Sequence, residues 1–238
     1  MANARYDEVA DSYVPADDDL QRPVTTALFD LAAPVPGEAA LDLACGDGLV
    51  ARELARRGLP VTGLAVSPRL LDRARSRGDR VRYLQADAAH FEPTAGSFDL
   101  VTCHFGLSDI DDLPSTLANV ALALTSGGRF VWSILHPCFA GGDGADPAWP
   151  PDDGYHAEGR WFATGSASTL RQRVGANHRT ISTYLNALRT AGLRIDRVVE
   201  PPAEPAWSET RPGSALQPVY LVVRALGPDA SAPVTGPG

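Results

Sequence analysis

The residues best placed to do chemistry gather where an apolar strand breaks. Leu41-Asp42-Leu43-Ala44-Cys45-Gly46-Asp47-Gly48 runs into a glycine turn, and the turn opens into the helical run Leu49-Val50-Ala51-Arg52-Glu53-Leu54-Ala55. Gly46 and Gly48 permit positive φ and close approach of a ligand to the backbone, while the first N–H groups of the helix suit a carboxylate or phosphate. The arrangement predicts a nucleoside-sized pocket. Beside it stand three imidazoles that titrate near neutral pH and could take a proton from a reacting group. His136, after the strand residues Ile134-Leu135, is the first candidate base; His104, on the neighbouring strand end, is second. His178 is third, and with Arg179 it could bind a carboxylate. For each of them a structural, hydrogen-bonded role is the alternative.

The elements that must position these groups follow a regular alternation. Up to Ala33, the apolar spacing of Tyr6, Val9, Ala10 and Tyr13, then Thr25 to Leu31, predicts a short helix, a turn at Asp17-Asp18-Asp19 and a second helix ending before Pro34. Strands are predicted at 39–44, 60–66, 81–85, 98–104 and 128–135, and helices at 48–57, 68–77 and 112–124. Between His136 and His178 the pattern gives way to Gly, Pro, Asp and aromatic residues, which reads as a substrate cap with short strands or a helix. Tyr155, Trp161 and Phe162 would give it an aromatic lining suited to a flat or hydrophobic small molecule, or would simply hold it down. A helix from Thr180 to Ala191 follows, closed by Gly192, then strands at 193–200 and 218–225. The expected organisation is a lid at 1–35, a core at 36–135, a cap at 136–178, completion of the core at 179–226 and a flexible tail at 227–238. The fold class is α/β: a Rossmann-like, seven-stranded, mostly parallel sheet ending in an antiparallel hairpin, with helices on both faces.

Composition narrows the function. The 238 residues, 44% of them hydrophobic, suffice for one domain with a substantial core. A formal net charge of −8 with scattered Arg argues against a nucleic-acid partner, because phosphate backbones need clustered cations. The chain opens without a charged and apolar signal segment, and no membrane association is expected. Cys45, Cys103 and Cys138 show no metal spacing, so no metal is expected and a reduced cytoplasm is the simplest location. Cys45 sits at a helix start that would stabilise a thiolate, with a small buried filler as the alternative.

The third glycine of a dinucleotide fingerprint is missing, since Leu49, Val50 and Ala51 follow Gly48. The spacing Asp-x-Ala-x-Gly-x-Gly instead resembles the first motif of class I S-adenosylmethionine (SAM)-dependent methyltransferases; by itself it also suits other α/β nucleotide folds. Val81-Arg82-Tyr83-Leu84-Gln85-Ala86-Asp87-Ala88 and Gly96-Ser97-Phe98-Asp99-Leu100-Val101-Thr102-Cys103-His104 resemble later motifs, and Ser126-Gly127-Gly128-Arg129-Phe130 turns into the next strand. Together they cover residues 41–135 in family order.

The resemblance implies SAM as cofactor and assigns roles. Ala44, Cys45, Gly46 and Gly48 would form the turn, with Asp42 orienting N–H groups and water near the cofactor's ammonium. Asp87 would accept from the adenine amino group with the Ala88 amide reading the ring; an N-cap is the alternative for Asp87. Cys103, His104 and Phe105 would lie against the sulfonium, Phe105 also facing the acceptor. Tyr6 and Tyr13 resemble an aromatic lid, or are plain helix-packing residues. In Pro60-Val61-Thr62-Gly63-Leu64-Ala65-Val66-Ser67-Pro68 the family's acidic, ribose-gripping position is Ala65, followed by Val66. A lost charged hydrogen bond would weaken binding by roughly one to two powers of ten unless Ser67, water or the backbone compensates.

Ile134-Leu135-His136-Pro137-Cys138-Phe139 and Gly175-Ala176-Asn177-His178-Arg179-Thr180 resemble a bacterial subgroup of small-molecule methyltransferases with a cap after the fifth strand. The implied activity is methyl transfer to a small molecule of bacterial secondary metabolism, by a monomer or homodimer. His136, Tyr155, Trp161 and Arg179 would contact the acceptor. Ala65 leaves open a fold member that has lost methyl transfer and instead cyclises or rearranges a natural-product intermediate. A cofactor-binding module without catalysis is a third reading.

Overall fold

Largely apolar runs that can be buried on both faces make the central strands; the helix at Leu49 starts from Gly48 without a side-chain cap, and later helices start at Ser67, Asp112 and Thr180. The computed structural model describes residues 4–11, 22–78, 80–141, 147–150, 153–164, 169–210, 212 and 216–228. Tyr13, the Asp17-Asp18-Asp19 turn and tail residues 229–238 lie outside the described residues.

A 3₁₀ turn, Arg5–Val9, precedes α1 (Pro23–Ala32). Then follow β1 (Ala40–Leu43), α2 (Leu49–Arg56), β2 (Val61–Ala65), α3 (Pro68–Ser76), β3 (Arg82–Gln85) and β4 (Phe98–His104). A second 3₁₀ turn, Gly106–Ser108, leads to α4 (Leu113–Ala123) and β5 (Leu124–Leu135). The segment between β5 and the next long helix, where the cap is expected, contains β6 (Gly159–Trp161), α5 (Thr169–Val174) and β7 (Ala176–His178), with β6 and β7 antiparallel. The chain continues with α6 (Ile181–Thr190), β8 (Arg194–Val199), α7 (Pro205–Thr210) and β9 (Tyr220–Leu226).

The main sheet has seven strands in the order β3-β2-β1-β4-β5-β9-β8. Its first five are parallel, whereas β9 runs antiparallel to both β5 and β8. This is the Rossmann-like sheet anticipated from the alternation of strands and helices. The strand order reverses between β1 and β4, so loops leaving their carboxyl ends diverge and open a crevice there. Apolar clusters on the two faces, around Leu28, Leu54 and Leu71 and around Leu117, Trp132 and Leu188, hold the strand ends still.

Caps fix where the helices begin. Ser67 Oγ accepts from the N–H of Leu70 at 3.1 Å, and Pro68 contributes its preset φ at the first helical position. Asp112 caps α4 through the N–H of Ser115 at 3.0 Å. Thr180 caps α6, and Glu158 of the cap binds Thr180 N–H at 2.7 Å, tying the inserted segment to the core. β5 begins four residues before the predicted 128 because Leu124 already pairs with Phe98 across a register shift.

Candidate functional site

The turn after β1 is built from residues of alternating backbone sign. Ala44, Gly46 and Gly48 have φ of 56°, 54° and 84°, while Cys45 and Asp47 stay outside the positive-φ region. Such alternation turns successive N–H groups toward one concavity, a geometry that receives anions. The turn is closed by Cys45 N–H to Leu64 O at 2.9 Å and Gly48 N–H to Cys45 O at 2.8 Å. A Cβ built on Gly46 would meet no atom within 4 Å, so the glycine faces open space. A Cβ on Gly48 would lie 2.3 Å from the Tyr83 hydroxyl oxygen, which shows how tightly the far side of the turn is packed.

Asp42 stands beneath this turn, 1% exposed. Its Oδ1 accepts from Thr102 Oγ1 at 2.9 Å, and among the described residues Oδ2 has no hydrogen-bond partner. Burial pushes its pKa up to about 7, against smaller opposing effects of Thr102, the Ala51 amide and Arg52. A buried carboxylate oxygen lacking a donor, next to an anion-receiving turn, fits a ligand end that carries both an ammonium and a carboxylate. Asp47 is buried too, paired with Arg77 at 2.8 Å, and Arg52 donates to its carbonyl oxygen. The burial of Cys45 raises its thiol well above the ordinary range, so it is filler in the turn and not a thiolate. Cys103 is likewise buried and its pKa raised by burial.

At the carboxyl end of β4, Phe105 takes φ 58°, so both strands flanking the crevice end in a strained non-glycine residue. Its ring lies 4.4 Å from that of His104 and 6.1 Å from Tyr220, centroid to centroid. His104 Nδ1 is 2.6 Å from Ser133 Oγ and Nε2 is 3.3 Å from Thr25 Oγ1. Burial, reinforced by the nearby Arg22 charge, holds its pKa well below the ordinary imidazole range, so it is neutral. His136 is 2% exposed, and its Nδ1 accepts from Cys138 N–H at 3.0 Å. That bond places the proton on Nε2, which lies 2.8 Å from Glu200 Oε1 without the alignment of a hydrogen bond. Burial lowers its pKa despite Glu200.

His178 Nε2 is 2.6 Å from Tyr155 O. A carbonyl only accepts, so Nε2 carries the proton and Nδ1 keeps a lone pair. Tyr155 also accepts at its hydroxyl from Ile181 N–H at 3.0 Å, which ties it to the cap and α6. Arg179 donates to the carbonyl oxygens of Leu107, Ile110 and Asp111 and so orders the β4–α4 connection, which accounts for its guanidinium without a substrate carboxylate. Trp161 is 7% exposed, and among the described residues its Nε1 has no hydrogen-bond partner. It lines a cavity of about 60 Å³ with Ile134, Leu135, His178 and Tyr184.

Asp87 is committed to its own turn: Oδ1 accepts from Ala89 N–H at 3.0 Å and Oδ2 lies 3.0 Å from His90 Nδ1. No helix follows Asp87, so this is a side-chain-closed turn and not the helix N-cap weighed as the alternative, and lone pairs remain on both oxygens. Ala88 is buried, its carbonyl held by Asn119. Ala65 ends β2 at 6% exposure, and the following carbonyl of Val66 accepts from Gln85. Tyr6 donates to Asp109 Oδ2 at 2.8 Å, and Asp109 Oδ1 binds Arg171 of α5 at 2.6 Å, joining the N-terminal turn to the cap.

The three histidines therefore do not act on one another; each is held by different partners. Sequence reading missed Asp7, Arg22, Glu204 and Tyr220. Arg22 pairs with Glu204 and donates to Tyr220 Oη at 2.6 Å, with its guanidinium over the Phe105 ring at 6.0 Å. No local motif marks this group, because its members come from the two ends of the chain. Among the described residues no cluster of three or more metal-ligating side chains occurs, and no helix is long and apolar enough to cross a membrane.

A family model described as a methyltransferase domain matches residues 41–132. Among solved structures, the chain is 31% identical to a SAM-dependent methyltransferase from Mesorhizobium loti, with a TM-score of 0.70 over 85% of this chain and 96% of that one. It is 34% identical over 122 residues to a ubiquinone biosynthesis O-methyltransferase of Aromatoleum aromaticum, covering 49% of this chain and 52% of that protein. It is 35% identical over 141 residues to a demethylmenaquinone methyltransferase of Clavibacter sepedonicus, covering 55% and 56% respectively. The chain spans about half the length of the curated relatives it matches.

Proposed function

Because the chain belongs to the class I SAM-dependent methyltransferases and takes S-adenosyl-L-methionine as its cofactor, we propose that it methylates a small, largely apolar molecule seated under the cap, in bacterial secondary metabolism. The cofactor supplies an electrophilic sulfonium methyl group. The observation that carries the reading is the cavity between the carboxyl end of β5 and the cap, lined by Ile134, Leu135, Trp161 and Tyr184 and, on its polar side, by Arg171, Asn177, His178 and Arg179. Its volume of about 60 Å³ is well below the several hundred Å³ of a drug-sized site, so it takes one ring edge or substituent of the acceptor. Relatives named as a ubiquinone biosynthesis O-methyltransferase and a demethylmenaquinone methyltransferase support a small-molecule acceptor.

Methyl transfer needs alignment first, and a base only where the acceptor must lose a proton. His178 is the best-placed base of the three, since Tyr155 O fixes the tautomer that leaves Nδ1 basic and the residue lines the cavity. His136 spends Nδ1 on a backbone N–H, and His104 is held neutral with low basicity, so both are positioning residues. This order reverses the one expected from strand position alone. At the cofactor end, Asp42 would face the ammonium and the N–H groups of Gly46 and Asp47, which the closure of the turn leaves over, the carboxylate; Asp87 and Ala88 would meet the adenine.

The test offers purified protein labelled SAM and a panel of aromatic small molecules carrying hydroxyl or amino groups. Label is expected in at least one acceptor, and His178→Ala should slow that transfer by roughly 10²–10⁴-fold, the usual contribution of a general base. Cofactor binding without transfer to any acceptor would overturn the reading.

Asp42 gives the site a pH signature. Its folded pKa, about 7, exceeds the ordinary 3.8, so its contribution to the stability of the ligand-free protein is full below about pH 4 and lost as the pH rises through 7. An ammonium placed at Oδ2 reverses that preference, because it favours the carboxylate. Affinity for S-adenosylhomocysteine should therefore rise between pH 5.5 and 7.5 with release of a proton, measured by calorimetry in two buffers of different ionisation heat. Asp42→Asn should flatten the dependence.

A further inference from the structure

Ala65 removes an acidic side chain from the end of β2, yet a carboxylate from elsewhere reaches the same corner. Asp7, in the 3₁₀ turn Arg5–Val9, places Oδ1 2.5 Å from Ser67 Oγ, two residues beyond Ala65. Helix capping engages only Oδ1 of this carboxylate. Ser67 already accepts from Leu70 N–H at 3.1 Å, and Asp7 adds only a long 3.4 Å bond from Arg69 N–H. Among the described residues Asp7 Oδ2 has no hydrogen-bond partner.

The turn is fixed on both sides. Arg69 of α3 donates to Asp7 O at 2.8 Å and pairs with Asp11 at 2.7 Å, and Arg73 donates to Ala10 O. On the opposite wall Arg5 pairs with Asp111 at 2.9 Å and Tyr6 binds Asp109. Since β1 lies between β2 and β4, a segment gripping the loops after both neighbours crosses the carboxyl end of β1, above the turn that ends in Gly48. Doubly wound sheets hold the ribose of a nucleoside ligand with a carboxylate near the end of the second strand, because two acceptor oxygens match a vicinal diol.

From this geometry we infer that Asp7, carried by the N-terminal 3₁₀ turn, is the carboxylate that binds the cofactor's ribose hydroxyls in place of the side chain absent at Ala65. Ser67 Oγ–H orients one oxygen, and the other accepts from the diol. Binding of the nucleoside and docking of the N-terminal turn are then one event. The inference rests on SAM being the cofactor, and its test separates the two.

Calorimetry on the full chain would compare S-adenosylhomocysteine with its 2′,3′-dideoxyribose analogue. Asp7→Asn, which keeps an acceptor for Ser67, should weaken the parent ligand about tenfold or more while leaving the dideoxy analogue unchanged. Arg69→Ala, which only loosens the turn, should weaken both ligands alike. Ala65→Asp in the wild-type background should bring no gain, because two carboxylates would crowd one diol; in the Asp7→Asn background it should restore most of the lost affinity. Equal losses for the two ligands in Asp7→Asn, or no loss in either, would overturn the inference. Failure of the wild-type chain to bind S-adenosylhomocysteine would overturn the cofactor reading and this inference with it.

Discussion

Replacing Gly46 by valine is expected to abolish measurable cofactor binding while the protein stays folded. The backbone there has φ 54°, so any L side chain costs roughly 1–2 kcal/mol, but an added Cβ meets nothing within 4 Å. The strain alone should lower the melting temperature by about 2–8 °C for a chain of this size. Binding suffers far more, since the new isopropyl group fills the space left open at the turn. A loss of about a hundredfold or more, roughly 3 kcal/mol, should appear in calorimetry with S-adenosylhomocysteine. Gly46→Ala should fall between. Unchanged binding in the valine variant would move the ligand away from this turn.

The second large effect is expected at Gly106, where space and not backbone conformation is the constraint. Its φ lies outside the positive region, so backbone strain is no obstacle. A Cβ there would sit 2.5 Å from Ala44 Cβ and 2.8 Å from Cys103 Sγ, and Ala44 has no flexible side chain to swing away. Gly106→Ala must therefore push the loop after β4 off the turn after β1, at a cost of about 1–3 kcal/mol from overpacking. Because the displaced residues border Asp42 and Phe105, both the denaturation midpoint and cofactor affinity should drop. Ala44→Gly removes the opposing methyl but leaves the Cys103 contact, so the double variant should regain part of both, a coupling that a double-mutant cycle measures.

Much of the fold was legible because it depends on local pattern. The largely apolar run at 40–43, the glycines at 46 and 48 and the Ser67-Pro68 helix start each act within a few residues, and the parallel direction of the first strands follows from alternation with crossover helices. The limits of legibility appear at the histidines. Strand position brought His136 forward, whereas its usefulness is decided by the Cys138 amide and that of His178 by a carbonyl 23 residues away. Arg179 looked available for a carboxylate, yet the carbonyl oxygens around 107–111 occupy it. Asp7 was invisible for a similar reason: it meets Ser67 across 60 residues, and nothing in its neighbours marks the pairing. Periodicity describes which face a side chain takes, but not which distant donor or acceptor will claim it.

The grip of the Arg5–Val9 turn on both walls also sets an order of assembly. Its bonds to Ser67, Asp109 and Asp111 span 60, 103 and 106 positions, so none can form until α3 and the loop before α4 have been made. The segment leaves the ribosome ahead of everything it holds and can settle only once its partners have been synthesised.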